Sequence, residues 1–223
     1  MNTQFLSPNF NDREGVAVDM LVIHYTGMQS CDEALDRLCD PSAEVSAHYL
    51  IDEMGELVSL VDENKRAWHA GVASWRGHTN INSRSVGIEL VNPGHEFGYR
   101  DFAYPQIETL ISLCQGILRR HDIPARNVVG HSDVAPLRKQ DPGERFDWQR
   151  VAAAGIGLWP NLDGSAGSVA EAAVSRSLHH IGYDISDVSA AVTAFQRHYR
   201  PRLIDGVADD ETRQCIAAVL KLI

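Results

Sequence analysis

The chain has 223 residues, 44% hydrophobic and 22% charged, the composition of an ordinary globular protein with room for one full core or for a main domain plus a small one. A formal net charge of −10 and the lack of any Lys/Arg cluster exclude nucleic acid as a partner, since that role needs a basic footprint. No apolar run approaches about 18 residues, so no membrane span is expected.

The first ten residues, Met1 to Phe10, have neither a basic n-region nor an apolar h-region, and Asp12, Arg13 and Glu14 follow at once. No secretory signal is read there, and a cytoplasmic location is expected. Cys31, Cys39, Cys114 and Cys215 form no C-x-x-C pair and read as free thiols in preference to a Cys31–Cys39 disulfide.

Met20-Leu21-Val22-Ile23-His24-Tyr25-Thr26 is a nearly continuous apolar run closed by Gly27, the pattern of a central strand buried on both faces. His24 is its one strongly polar group, either a satisfied core histidine or a ligand. A short helix follows from Cys31 to Leu38, stopped near Pro41. Ala47–Ile51 and Leu57–Val61 flank a glycine-containing turn and predict a hairpin. From Trp68 to Arg84 little periodicity is left, and a long loop of that kind in a compact domain is usually functional. Trp68, His69 and Trp75 either line a cleft or pack this loop onto the domain.

Val86–Val91 is a further apolar strand in which Gly87, Glu89 and Val91 share a face. A carboxyl beside a glycine gap in apolar surroundings has its pKa raised towards that of a useful base; the alternative is a structural carboxylate bonded to a loop. Ile107, Leu110, Ile111, Cys114, Ile117 and Leu118 stripe a core helix from about Pro105 to His121. After Val128-Val129 comes the turn-rich segment from Gly130 to Gly143, which holds His131, Lys139 and Asp141. Asp141 precedes Pro142, which disfavours helical backbone and favours extended chain, placing Lys139 and Asp141 on one side. A short helix spans Phe146 to Ala154.

Residues 161–167 form a compositional break and are read as a linker between a main domain, 1–160, and a small all-α unit, 168–223. In that unit Ser168-Val169-Ala170-Glu171 reads as a capping box opening a helix to Ile181. Val188 to Tyr199 stripe a second helix, and Ile216, Val219 and Leu220 mark a third. Such a small bundle has a marginal core and suits an accessory binding module better than a catalytic unit.

Two histidines and a carboxylate, His24, His131 and Asp141, fit a catalytic zinc site that leaves a fourth position to water. There is no H-E-x-x-H helix, no G-x-S-x-G elbow and no Walker loop to suggest other chemistry.

Five motifs in order, Val22-Ile23-His24-Tyr25-Thr26, Val45–Ile51, Trp68-His69-Ala70-Gly71, Val86–Leu90 and Gly130–Pro136 with Lys139–Gly143, resemble the zinc-dependent N-acetylmuramoyl-L-alanine amidases of the AmpD/AmiD type. The resemblance runs from about Asp19 to Trp148. It implies an α/β fold with a mixed central sheet flanked by helices, and zinc held by His24, His131 and Asp141. It further implies Glu89 as the base, Lys139 as the oxyanion stabiliser, and a muropeptide or peptidoglycan substrate. Of the remaining histidines, His69 in its Trp-His-Ala-Gly setting is expected to touch substrate, with Trp68 beside it. Residues 168–223 resemble the three-helix peptidoglycan-binding module through Leu178–Tyr183, Ala194–Tyr199 and Asp205–Asp209.

Ala47 stands where the phage lysozyme branch carries a tyrosine, which argues against a tyrosine-assisted mechanism. The same fold also serves non-catalytic peptidoglycan recognition proteins. Those lack part of the metal set, whereas this chain carries every candidate, so an enzyme is expected. A chain without a signal points to the 1,6-anhydromuropeptide of cell-wall recycling, and a binding module points to the polymer.

Overall fold

The computed structural model describes residues 6–162 and 166–223; Met1–Phe5, within the stretch expected to hold no secretory signal, and Asp163–Ser165, inside the expected linker, lie outside them. A five-stranded mixed sheet forms the centre, in the order β4-β3-β6-β2-β7. Its strands are β2 (Met20–Tyr25), β3 (Tyr49–Ile51), β4 (Leu57–Ser59), β6 (Ser85–Leu90) and β7 (Val128–Gly130). β3 and β4 are the antiparallel hairpin, and the other pairings are parallel. A separate ribbon joins β1 (Phe10–Asp12) to β5 (Lys65–Ala67), which the sequence reading did not foresee because both are short and polar.

Helices α1 (Cys31–Cys39), α2 (Ile81–Arg84), α3 (Gly94–Phe97), α4 (Tyr104–Arg120), α5 (His131–Val134) and α6 (Trp148–Ala153) surround the sheet. Ser30 caps α1 by accepting from the Glu33 amide, and Asp147 caps α6 by accepting from that of Arg150. The carboxy-terminal helices are α7 (Val174–Ile181), α8 (Val188–Tyr199) and α9 (Asp210–Leu220), the last two capped by Asp187 and Asp209.

One expectation fails here. Ser168 does not open α7: its hydroxyl donates to the Val169 carbonyl, and Glu171–Ala173 form a 3₁₀ turn before the helix begins at Val174. Val169 donates its amide to Arg213 of α9, and Ala170 is extended, so the chain is pinned to a neighbour where the capping box would have placed a first turn.

The period of two along β2 explains the layers. Leu21 and Ile23 pack with Val86, Ile88 and Leu90 of β6 against Leu110, Cys114 and Ile117 of α4. Met20 and Val22 face the other way, into a cluster with Trp75, Ile81 and Val129 that continues through Leu178, Ile181, Tyr183, Phe195 and Ile216. The three carboxy-terminal helices thus form as expected, but their core is continuous with one face of the central sheet. All four cysteines are free, and among the described residues no helix is long and apolar enough to cross a membrane.

Phe195 is fully buried in this shared cluster. Phe195→Ala is expected to cost about 3–5 kcal/mol. Urea unfolding followed by tryptophan fluorescence should show one transition shifted to lower denaturant; an early, separate transition of the tail would show that the two parts are energetically independent.

Candidate metal centre and active-site cavity

Parallel pairing sets the site. His24 of β2 lies opposite Glu89 of β6, and Ile23 lies opposite Gly130, so His131 starts α5 at the same sheet end. Open parallel sheets bind ligands at the carboxyl ends of their strands. There a cavity of about 620 Å³ is lined by His24, Glu89, His131, Lys139 and Asp141 among others. The turn-rich segment therefore brings Lys139 and Asp141 to one cavity, although His131–Val134 is a helical turn that no periodicity announced.

The hydrogen-bond network around the two imidazoles fixes their tautomers. Ser85 Oγ donates to the Ile81 carbonyl at 2.7 Å, and so accepts from His69 Nε2 at 3.0 Å. His69 Nδ1 then has no proton and accepts from His24 Nε2 at 3.0 Å, which leaves His24 Nδ1 with a bare lone pair. His131 Nε2 donates to the Ala70 carbonyl at 3.0 Å, so that in the neutral ring a metal ligand requires it is Nδ1 that carries the free lone pair. These two Nδ1 atoms are 2.9 Å apart, and each is 3.0 Å from Asp141 Oδ2. Three acceptor atoms so close repel one another unless a cation lies among them. Burial, with the neighbouring His131 adding to it, pushes His24 down to about 4, so its ring is neutral at pH 7, as a ligand must be. His24, His131 and Asp141 are all buried, and together they form a group able to hold a metal ion. Their chemistry, two nitrogen donors and one carboxylate oxygen, fits zinc with an open position.

Glu89 is buried beside them, and its Oε2 has no hydrogen-bond partner among the described residues. Burial first, and then the Asp141 charge, push its carboxyl up to about 8, with Lys139 opposing. Lys139 is half-buried on the cavity wall, and its ammonium makes no hydrogen bond or ion pair among the described residues.

Of the two residues expected to touch substrate, His69 lies on the cavity wall and Trp68 does not. Trp68 donates its indole N–H to Asn11 Oδ1 at 2.9 Å and is not part of the cavity wall. It directly follows strand β5, where neighbours alternate sides, so His69 turns inward and Trp68 outward. His69 lines the cavity, and both its nitrogens are committed, Nδ1 to His24 and Nε2 to Ser85. The glycine gap of β6 is also not open: a Cβ on Gly87 would lie 2.5 Å from His69 Cγ. Trp75 packs edge-on against Tyr183 of the tail, 5.1 Å between centroids.

Sequence reasoning missed Ser85, Asp133 and a rim cluster in which the Tyr25 hydroxyl donates to His95 Nδ1 at 2.8 Å and His95 Nε2 lies 3.1 Å from Glu144. Ser85 and Asp133 work through tertiary contacts that leave no periodic trace. His95 was visible only as one histidine among ten.

A buried two-histidine, one-carboxylate centre, beside a protonatable carboxyl and a lysine at the carboxyl ends of parallel strands, defines a metal-dependent hydrolase of the α/β class. Residues 14–144 match the family model of the N-acetylmuramoyl-L-alanine amidases, and the chain belongs to that family, to its AmiD/AmpD type. It is 38% identical over 231 residues to N-acetylmuramoyl-L-alanine amidase AmiD of Escherichia coli, covering 92% of this chain and 83% of that protein. The structure of E. coli AmiD with anhydro-N-acetylmuramic acid-L-Ala-D-gamma-Glu-L-Lys is similar over 100% of this chain and 94% of that one, with a TM-score of 0.85 at 35% identity. AmpDh3 from Pseudomonas aeruginosa in complex with anhydromuramic pentapeptide gives 0.82 at 32% identity over 97% of this chain and 95% of its own. A selenomethionine derivative of AmpD is similar over only 69% of this chain, though over 95% of itself, with a TM-score of 0.61 at 31% identity.

Two outcomes follow from this geometry. Ser85→Ala removes the acceptor that orients His69 and is expected to weaken metal binding about 10- to 100-fold in a chelator-competition titration. For Glu89, a folded pKa near 8 against an ordinary 4.5 means that stability is full below about pH 4.5 and declines as pH rises through about 8. In the metal-stripped protein, Glu89→Gln should match the parent in denaturant titrations at pH 4.5 and exceed it by a few kcal/mol at pH 8.5.

Proposed function

We propose that this amidase is a zinc enzyme that hydrolyses the amide between the lactyl group of N-acetylmuramic or 1,6-anhydro-N-acetylmuramic acid and L-alanine, with Glu89 as general base and Lys139 as oxyanion stabiliser. The convergence of three unprotonated acceptor atoms beside an unpartnered carboxyl carries the reading. The anhydromuramic peptides named with the AmiD and AmpDh3 structures favour the anhydro substrate. The resemblance of residues 168–223 to peptidoglycan-binding modules supports additional contact with the polymer.

When bound, zinc supplies a Lewis acid that lowers the pKa of water from about 15.7 to about 7 and polarises a carbonyl. Glu89 takes the proton released as water attacks the lactyl carbonyl carbon. A carboxyl whose proton affinity is raised by burial does this better than a surface carboxylate. The negative charge then developing on the carbonyl oxygen is met by the free ammonium of Lys139. As the carbon–nitrogen bond breaks, Glu89 delivers its proton to the amine of L-alanine, and the muramic carboxylate and the free peptide leave.

Peptide release should be assayed on anhydromuropeptide and on intact peptidoglycan side by side, before and after chelation and with zinc restored. Turnover unaffected by chelation would overturn the metal assignment. Lys139→Ala is expected to retain zinc and lose about 100- to 1000-fold in kcat. Asp141→Ala is expected to be purified without stoichiometric zinc, as elemental analysis would show.

A further inference from the structure

Asp133 lies two residues beyond His131, on the same helical turn, and is almost fully buried. Its carboxylate takes three short hydrogen bonds. Gly130 N–H donates to Oδ2 at 2.7 Å, His198 Nδ1 donates to the same oxygen at 2.7 Å, and the Tyr183 hydroxyl donates to Oδ1 at 2.7 Å. Two of the three donors belong to the carboxy-terminal segment. His198 is itself clamped, stacked on Trp148 at 3.8 Å and on Tyr199 at 3.9 Å between centroids. Its Nε2 has no partner among the described residues, so Asp133 is the one polar group that explains why this imidazole is buried here.

The turn that Asp133 holds has little slack. Ser132 donates its amide to the Asp141 carbonyl at 2.8 Å, and a Cβ on Gly130 would lie 2.6 Å from Pro142 Cδ. A displacement of Asp133 is therefore passed to His131 through the shared turn, and to Asp141 through the Ser132 amide. A buried carboxylate that loses a donor is left underpaired, and it shifts to regain one.

We propose that Asp133 is a positioning residue for His131 and Asp141, held by Tyr183 and His198, so that the docked carboxy-terminal helices are part of the metal site and not only an accessory to it. The inference rests on the zinc reading given above. Whether or not these helices contact glycan, metal affinity then depends on them.

The test compares full-length Tyr183→Phe and His198→Phe with the parent and with Ile181→Ala, which removes buried packing from the same interface without touching Asp133. Zinc dissociation constants come from chelator competition at a single pH, and the visible spectrum of the cobalt-substituted protein reports ligand geometry. Both Asp133-directed variants are expected to bind zinc about 10- to 100-fold more weakly and to shift the cobalt bands. Ile181→Ala is expected to be destabilised while keeping the parental dissociation constant and spectrum. Parental zinc affinity in Tyr183→Phe, which loses a single hydroxyl and decides the matter if His198→Phe does not fold, would overturn the proposal. Equal weakening in Ile181→Ala would overturn it as well, by assigning the effect to packing alone. A parent chain that binds no zinc would strike down the metal reading itself, a result distinguishable from either.

Discussion

The register of three parallel strands is the constraint on which this protein depends. With His24 opposite Glu89 and Ile23 opposite Gly130, an imidazole, a carboxyl and the start of the His131 turn arrive at one sheet end and on one face. A slip of a single residue would send His24 into the layer beneath α4 and turn Leu21 and Ile23 towards the opposite layer, away from the helix they pack against. The hydrophobic alternation of Met20 to Ile23 therefore aims the first donor as well as building the core. Everything nearer the chemistry, from the His24–His69–Ser85 series to the turn around Asp133, refines a direction already fixed by strand pairing.

How much of this could be read from residues alone differs by element. β2 and β6 were legible because a buried parallel strand is a continuous apolar run, and a single His or Glu within one stands out. α4 was legible from its 3.6-residue stripe, and the hairpin from its glycine turn. The metal set needed the family resemblance, since nothing local ties His24 to residues more than a hundred positions away. Trp68 and His69 share the Trp-His-Ala-Gly motif, yet neighbours in extended chain turn to opposite sides, and only His69 reaches the cavity wall. Ser168 was read as a cap from a local pattern that a tertiary bond to Arg213 overrides.

The carboxy-terminal helices show the same limit at larger scale. Three short amphipathic helices after a polar break look self-contained on paper, with a core that the pattern makes marginal. What the pattern does not display is where the missing apolar surface comes from. Met20, Val22 and Val129 supply it, which is also why β2 needed to be apolar on both sides. AmpD is similar over 69% of this chain and to 95% of its own length, so a relative of this type dispenses with part of what this chain carries.

His24 is separated from the other two donors of the metal centre by 107 and 117 residues along the chain. An unfolded polypeptide cannot gather them at useful local concentration, so an ion captured there is bound almost entirely by the native ensemble. By mass action such a ligand deepens the native free-energy well, by about 2.7 kcal/mol when its free concentration is a hundred times its dissociation constant. Scarcity of the ion would then reach beyond turnover to the lifetime of the protein, tying its abundance to the supply of metal around it.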